Sequence, residues 1–264
     1  MSFVKVRRGS APLILSIPHA GTEIPEALQP ALRSLWLARK DADWWLPELY
    51  AFAEKLDATI IRTDISRTVI DVNRDPSGAS LYPGQATTEL CPTTTFDGEP
   101  LYAGQLLLDA AEIARRRETY FAPYHAAIVA EIKRLRGLHR SIVLYDCHSI
   151  RSEIPRLFLG VLPNFNIGTN DGKACDAAIT ARVAAICAGD EQHSHVVNGR
   201  FKGGWITRHY GDPENGVNAI QIELACRGYM AEPESPSPEN WPGPLAPLPH
   251  VQPTLKTIIE SFVS

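Results

Sequence analysis

The sequence predicts an α/β fold with a mixed, mostly parallel sheet and helices on both faces. Short apolar runs rich in β-branched residues alternate along the chain with longer segments of helical periodicity, which is typical of such sheets. The chain has 264 residues, of which 44 % are apolar, so it is long enough to bury a sizeable core. Since no linker divides it, we expect a single domain over residues 1–264.

Six segments are predicted as strands because they are short and apolar and end at charged or turn residues. The first four have the strongest pattern, and the other two are weaker candidates. The four are Leu13–Ile17, Thr59–Ile61, Ser141–Tyr145 and Ala219–Leu224, and the two are Arg156–Leu162 and His195–Val197.

Five segments are predicted as helices from their apolar spacing. In the third segment Pro123 is expected to kink or divide the helix, because proline lacks the backbone N–H that a helix interior needs. The five segments are Pro25–Leu37, Pro47–Leu56, Tyr102–Leu135, Asp171–Ala188 and Pro253–Phe262.

Two stretches are predicted to lack regular structure. Residues Asp75–Pro100 are rich in Pro, Thr and Gly and are expected to form a long loop. Residues Glu232–Pro249 contain seven prolines and are expected to form an extended surface tail. Loops of this length in a compact domain are usually functional or disordered.

Composition excludes several classes of protein. The net charge is −4, with 26 basic and 30 acidic side chains, which argues against a nucleic-acid-binding protein. No apolar run approaches the ~20 residues that span a bilayer, and the first ten residues lack the apolar core of a secretory signal. Five irregularly spaced cysteines without a CxxC pair indicate reduced thiols and a cytoplasmic protein.

Polar side chains follow or end three of the predicted strands. His19 follows the first strand, His148 follows the third, and Glu223 lies in the last. Because ligands of α/β sheets collect beyond the carboxyl ends of the strands, two imidazoles and a carboxylate there suit a divalent metal such as zinc. The alternative is that each histidine only hydrogen-bonds loop backbone. Cys147 adjoins His148 but should point to the other face of the strand, as a buried thiol.

Asp43 offers a further carboxylate in a short break between two predicted helices. Its ordinary role there would be to cap a helix N-terminus. The functional alternative is a third metal ligand, and both interpretations stay open at this point.

Two further groups of residues suggest recognition of an anion. The segment 67–76 contains Arg67, Asn73 and Arg74 before a turn, and the planar guanidinium matches a carboxylate bidentately. The segment 198–211 contains four glycines together with cationic side chains, among them Arg208 and His209. The alternatives are solvated surface arginines and a plain glycine hairpin with a basic rim.

Together these segments resemble the N-formylglutamate amidohydrolase family. The resemblance covers most of the chain, apart from the two long loops, and its third and fifth stretches are too long and unusual to be chance. The stretches are SIPHAGTEIP (16–25), DADWWLPELY (41–50), RTVIDVNRDPSG (67–78), LYDCHSIRS (144–152), NGRFKGGWITRHYG (198–211) and NAIQIELACRGYM (218–230).

The resemblance implies a metal-dependent hydrolase with a fold like that of the zinc carboxypeptidases (a phosphorylase/hydrolase-like fold). His19 and His148 are similar to the family's metal ligands, with zinc as the most favoured divalent ion. Zinc carboxypeptidases take two ligands from an HxxE segment, but here Glu23 stands one place late. The third ligand therefore stays open between Asp43 and Glu23.

The resemblance also implies roles for the remaining candidates. Glu223 is placed like the general base, and Asn73 with Arg74 resembles the pair that holds a substrate carboxylate. Further carboxylate contacts are expected from Arg67, Arg208 and Arg227, and stabilisation of the oxyanion from Arg151 or His209.

The substrate that the resemblance implies is N-formyl-L-glutamate, cleaved to L-glutamate and formate at the end of a histidine degradation route. One alternative is a hydrolase of another N-acyl acidic amino acid on the same scaffold. The other is a non-catalytic relative that binds dicarboxylates. We expect no nucleic-acid or membrane partner, and the sequence does not predict an oligomeric state.

Overall fold

The computed structural model describes residues 2–104 and 108–263. At its centre is a seven-stranded sheet with the spatial order β1-β3-β2-β4-β7-β5-β6. Its strands are β1 (Val4–Arg7), β2 (Leu13–Ile17), β3 (Thr59–Thr63), β4 (Ile142–Ile150), β5 (Phe165–Gly168), β6 (His195–Val197) and β7 (Val217–Ala225).

The sheet is mixed and mostly parallel, as predicted. Strands β3, β2, β4 and β7 form a continuous parallel centre, and β5 is parallel to β6. The antiparallel pairings are β1 with β3 and β5 with β7. The central strands β2, β4 and β7 are buried along their whole length, which is expected where helices cover both faces.

Helices cover both faces of this sheet, which confirms the predicted α/β architecture. One face packs against α2, α5 and α7, and the other packs against α4 and α6. The helices are α1 (Leu37–Lys40), α2 (Leu46–Leu49), α3 (Ala110–Arg116), α4 (Ala122–Arg136), α5 (Ala177–Ala188), α6 (Trp205–Tyr210) and α7 (Gln252–Val263).

The prediction of strand Arg156–Leu162 is wrong. This segment contains turns, and the strand next to β7 is β5, a few residues later. Pro155 precedes the segment and Gly160 has a positive φ of 69°, so its apolar residues lie in a turn rather than in a ladder. Strand β1 was not predicted because it is a largely exposed edge strand with alternating charges.

Two of the predicted helices are shorter than their periodicity suggested. Residues Pro25–Leu37 contain a 3₁₀ turn at Gln29–Ala31 and only the first residue of α1, since Pro30 and further turns interrupt the pattern. The segment Pro47–Leu56 is divided into α2 and a 3₁₀ turn at Ala51–Leu56.

The predicted helix Tyr102–Leu135 begins later, at Ala110, because the Asp109 side chain caps α3 by accepting from the Glu112 N–H. Residues 105–107 of that prediction lie outside the described residues. A π-helical turn at Arg117–Phe121 joins α3 to α4 just before Pro123, so the α-helix is divided near the proline although helical residues continue through this turn.

The last two helix predictions are largely confirmed. Asp176 caps α5, which therefore begins after the predicted start at Asp171, and α7 matches its predicted range within one residue at each end. Within residues 2–104 and 108–263, no helix is long and apolar enough to cross a membrane. All five cysteines are free and buried, and Cys147 points into the core on the face opposite His148.

The proline-rich segment 232–249 has no helix or strand, but it is more closely packed than a surface tail. The indole of Trp241 is 4 % exposed and its Nε1–H donates to the Lys40 carbonyl. The Trp45 indole donates in turn to the Gly243 carbonyl. The segment therefore covers the chain just before and after Asp43.

We predict that Trp241→Ala lowers the free energy of unfolding by about 3–5 kcal/mol, because it removes a buried ring and leaves a cavity. Leu248→Ala, at a side chain in the same segment that is 83 % exposed, should change it by less than about 0.5 kcal/mol. Denaturant unfolding of both variants measures the difference. Equal stabilities would contradict the packed role of the segment.

Candidate metal centre and active-site cavity

The neighbouring strands β4 and β7 become polar on one face toward their carboxyl ends. In their parallel register Asp146 lies beside Gln221, and His148 lies beside Glu223. Side chains two residues apart on a strand share a face, so all four project to the same side of the sheet. All four are buried, so this polar face is a formed site rather than a solvated edge.

His19, Asp43 and His148 form a compact buried group. The Oδ2 atom of Asp43 lies 3.2 Å from Nδ1 of His148 and 3.7 Å from Nδ1 of His19. The Asp43 N–H donates to the His19 carbonyl at 2.9 Å, which holds the two segments together. The strand ends of β2 and β4 and the turn before α2 therefore meet at one point.

The other ring nitrogen of each histidine faces a carboxylate. Nε2 of His19 lies 2.7 Å from Asp71, and Nε2 of His148 lies 2.9 Å from Asp146. A carboxylate at Nε2 orients each ring so that its Nδ1 atom faces the centre of the group, as in many metal sites. Within the described part of the chain, the buried Nδ1 of His19 has no hydrogen-bond partner.

This donor set fits a divalent metal ion such as zinc. With zinc–ligand bonds of about 2 Å, two ligand atoms of a tetrahedral ion stand about 3.3 Å apart, which is close to the separations between Asp43 and the two imidazoles. A histidine that only bonds loop backbone would not explain the partnerless nitrogen of His19. His19, Asp43 and His148 are thus the residues that could hold the ion.

The structure also distinguishes the two candidates for the third ligand. The α2 helix is preceded by Trp45 without a side-chain cap, so Asp43 is not a helix cap. Its carboxylate instead contacts the two histidines and accepts from the Ser149 N–H. Glu23 is exposed and makes a backbone bridge to Ile65, so it does not join the group.

Arg67 forms ion pairs with two of the buried carboxylates, those of Asp43 and Asp71. Its guanidinium donates to Asp71 at 2.8 Å and to Asp43 at 3.4 Å, and it stacks over the Phe96 ring at 4.8 Å. A guanidinium compensates two buried carboxylates in a fixed geometry that a lysine could not supply.

Burial and charge shift the pKa values of these groups in different directions. Burial and the neighbouring Arg67 lower the pKa of His19, which favours the neutral form that ligates metals. Burial opposes charge on His148 as well, but the carboxylates of Asp146 and Asp43 raise its pKa well above the usual value. A divalent cation at this position would take the place of that proton.

Glu223 lines a small cavity next to this group, together with His19 and His148. Burial raises the pKa of Glu223 to about 7, so both of its protonation states are accessible near neutral pH. Three arginines line the cavity, namely Arg67, Arg74 and Arg200. The cavity therefore combines a group that can accept and return a proton with a cationic wall that suits an anion.

Asn73 links the cavity wall to the histidines. Its Nδ2 lies 2.8 Å from Nε2 of His148 and donates to Asp146 at 3.1 Å, while its Oδ1 accepts from the Ile206 N–H. A Cβ atom on Gly204 would lie 2.3 Å from the Asn73 amide, so only glycine permits this approach.

The sequence of the chain matches a known family. The profile of the N-formylglutamate amidohydrolases covers residues 11–230. The chain belongs to the N-formylglutamate amidohydrolase family. The N-formylglutamate deformylase of Pseudomonas aeruginosa is 48 % identical over 226 residues, 86 % of this chain and 85 % of that protein. The N-formylglutamate deformylase of Pseudomonas putida is 45 % identical over 227 residues, with the same coverage of 86 % and 85 %.

Solved structures share the fold of this N-formylglutamate amidohydrolase family member. The crystal structure of N-formylglutamate amidohydrolase from Ralstonia eutropha has a TM-score of 0.81 at 20 % identity, covering 100 % of this chain and 98 % of that chain. A gene product of Agrobacterium tumefaciens has a TM-score of 0.69 at 19 % identity, covering 86 % of each chain. At identities of 19–20 %, these similarities establish a shared fold and nothing further.

Four side chains singled out in the sequence lie away from the cavity lining. Arg151 pairs with Asp97 at 2.6 Å, and Arg227 donates to the Leu162 carbonyl at 2.6 Å. Arg208 donates to the Gly203 carbonyl, and the exposed His209 stacks on Trp205 at 4.7 Å. His19, His148, Glu223, Arg67, Asn73 and Arg74 do line the cavity, and Asp43 lies in the buried group beside it.

Sequence reasoning missed the carboxylates that orient the histidines. Asp146 is two residues before His148 on an extended segment, and this spacing alone could have placed both on one face. Asp71 carried no comparable signal, because its contact with His19 spans 52 positions of the chain. Gln221, which donates to Glu223 at 3.0 Å and accepts from the Gly204 N–H, also follows the i, i+2 rule.

We predict that Asp43→Asn weakens the affinity of the protein for zinc by at least about tenfold, because it removes an anionic oxygen at the centre of the group. Glu23→Gln should leave zinc binding unchanged. Zinc titration with a competing chelator measures both variants. If the Glu23 variant lost zinc and the Asp43 variant kept it, the assignment of the third ligand would be reversed.

Proposed function

We propose that this chain hydrolyses N-formyl-L-glutamate to L-glutamate and formate, with a divalent metal ion, most favourably Zn²⁺, as its cofactor. The names of the two Pseudomonas relatives support the substrate. The arginines of the cavity wall support it independently, because N-formylglutamate carries two carboxylates and guanidinium groups recognise carboxylates.

The observation that carries this proposal is the register of β4 and β7. It puts His148, a member of the buried His–Asp–His group, directly beside Glu223. A proton-accepting carboxylate next to a group of residues that could hold a metal ion suits the metal-assisted hydrolysis of an amide. A binding protein for dicarboxylates would need the arginines but not this pairing.

His19, Asp43 and His148 would hold the metal ion, with Asp71 and Asp146 orienting the two imidazoles. When bound, a zinc ion supplies Lewis acidity and lowers the pKa of water toward 7. The protein's own contribution is to hold both imidazoles in one orientation, with Nδ1 of each ring facing Asp43. The bonds from Nε2 to the two carboxylates perform this task.

Glu223 acts as the general base and then as the general acid. It takes a proton from the water that attacks the formyl carbon, and it returns that proton to the amide nitrogen as the carbon–nitrogen bond breaks. The products are formate and the free amine of glutamate. A pKa of about 7 suits both transfers, because neither the acid nor the carboxylate is strongly disfavoured.

Arg67 takes the charge-stabilising role that the sequence analysis gave to Arg151 or His209, because its guanidinium lines the cavity beside the buried group. Asn73 lines the cavity beside His148, and Arg74, the next residue in the chain, contributes its guanidinium to the same wall. The Arg74 group is oriented by Thr88, whose carbonyl and hydroxyl accept from it at 3.1 Å each. We assign Arg74 to the substrate's α-carboxylate.

We predict that the purified protein releases formate from N-formyl-L-glutamate, and that a chelator removes this activity while added Zn²⁺ restores it. An assay for formate with and without the chelator measures this directly. The absence of formate release by the zinc-loaded protein would refute the proposed reaction. Activity that survives complete metal removal would refute the cofactor alone.

We predict that Glu223→Gln lowers kcat about 10²–10⁴-fold, the usual contribution of a general acid–base group, while the zinc content of the protein stays the same. The amide keeps the shape of the side chain but cannot take up the proton. Steady-state kinetics and metal analysis of the same preparation measure both quantities. Full activity in this variant would remove Glu223 from the mechanism.

A further inference from the structure

Arg200 enters the cavity from the glycine-rich segment and is held in one plane. Its Nε–H donates to the Leu157 carbonyl at 2.8 Å, and its Nη2 donates to the Ala86 carbonyl at 2.9 Å. Its guanidinium packs against the rings of Tyr82 at 5.4 Å and Phe201 at 5.2 Å. These contacts leave it little freedom to leave the cavity wall.

Arg200 differs from the other two cavity arginines in its charge balance. Arg67 pairs with Asp43 and Asp71, and Arg74 lies 3.8 Å from Asp71. No carboxylate of the described chain lies within 4 Å of Arg200, although this side chain is partly buried. An oriented and partly buried cation without an anionic partner is disfavoured, and burial, with Arg74 nearby, lowers its pKa accordingly.

The donors that remain on Arg200 match a carboxylate. A guanidinium has five N–H donors in a fixed fork, and the two backbone carbonyls use one on Nε and one on Nη2. Three donors are left over, two on Nη1 and one on Nη2, and a carboxylate can accept charge-assisted hydrogen bonds from these nitrogens.

The position of Arg200 indicates which carboxylate this is. Arg74 is the residue after Asn73, and Asn73 contacts His148. Arg74 therefore belongs to the part of the cavity next to the buried group. Arg200 instead contacts the loop residues Tyr82, Ala86 and Leu157. In an N-formyl amino acid the α-carboxylate shares a carbon with the amide nitrogen, whereas two methylene groups separate the side-chain carboxylate of glutamate from that carbon.

We propose that Arg200 binds the side-chain carboxylate of the substrate and thereby makes the enzyme specific for acidic N-formyl amino acids, an inference that rests on the proposed deformylase function. Tyr82 positions this arginine: its hydroxyl accepts from the Lys202 N–H at 3.0 Å and donates to the Gly203 carbonyl at 2.9 Å. The long loop 75–100 thus helps to shape the subsite.

The test compares N-formyl-L-glutamate with N-formyl-L-glutamine, in which a neutral carboxamide of nearly the same size replaces the side-chain carboxylate. In Arg200→Gln the ratio of kcat/KM for the two substrates should fall about 10²-fold, through a higher KM for the acid. Arg200→Lys keeps the charge but not the fork and should lose about tenfold. Arg182→Gln, which removes a guanidinium stacked on Phe262 far from the cavity, is the matched control and should keep the ratio.

An unchanged ratio in Arg200→Gln would overturn the proposal. So would an equal loss for both substrates in Arg200→Gln and Arg200→Lys, since that result indicates a structural role. A second measurement does not need turnover: calorimetric affinities for L-glutamate and L-glutamine. The wild-type protein should prefer L-glutamate, and Arg200→Gln should lose that preference.

A wild-type protein that prefers L-glutamate but releases no formate would refute the reaction and leave the subsite supported. A wild-type protein that releases formate but binds both amino acids equally would refute the subsite and leave the reaction supported.

Discussion

The burial of three carboxylates around two imidazoles is the constraint on which the rest of the site depends. Asp43, Asp71 and Asp146 are all fully buried, and removing a carboxylate from water costs several kcal/mol unless it is paired and hydrogen-bonded. The pairing here is mutual, since each carboxylate contacts His19 or His148. The segments that carry these side chains cannot separate without breaking these pairs, so the same contacts that orient the two imidazoles also hold the segments together.

Arg67 and Asn73 extend this network from the sheet to the loops. Arg67 compensates two of the carboxylates and stacks on Phe96, so the long loop 75–100 is attached to the charged centre. Asn73 donates to Asp146 on one side and accepts from the backbone of α6 on the other. Because neighbours in such a network couple strongly, a change in one loop alters the orientation of the histidines as well as the cavity wall.

The sequence predicted those parts of the molecule that local pattern determines. The parallel central strands, the two histidines and Glu223 followed from short apolar runs and from what stands at their ends. Other features depend on contacts between distant residues, which a local pattern does not predict. Asp71 contacts His19 only in the folded chain, and Arg151 pairs with Asp97 and does not line the cavity. The edge strand β1 and the turn at Arg156–Leu162 were misjudged for a related reason, because apolar content predicts burial better than it predicts pairing.

The division between strands and loops accounts for the proposed chemistry and its selectivity. Glu223 and His148 lie on the two central strands that share the most extensive register of the sheet, and groups on such elements are held more precisely than groups on loops. The cations that would recognise the carboxylates, Arg74 and Arg200, lie instead on connecting segments and are oriented by backbone carbonyls. Since loops tolerate sequence change better than buried strands do, this arrangement lets the cavity wall vary while the hydrolytic groups stay in place. In the proposed function, the specificity for one acyl amino acid therefore depends on the segments 74–100 and 198–204, and the proton transfer depends on the two central strands.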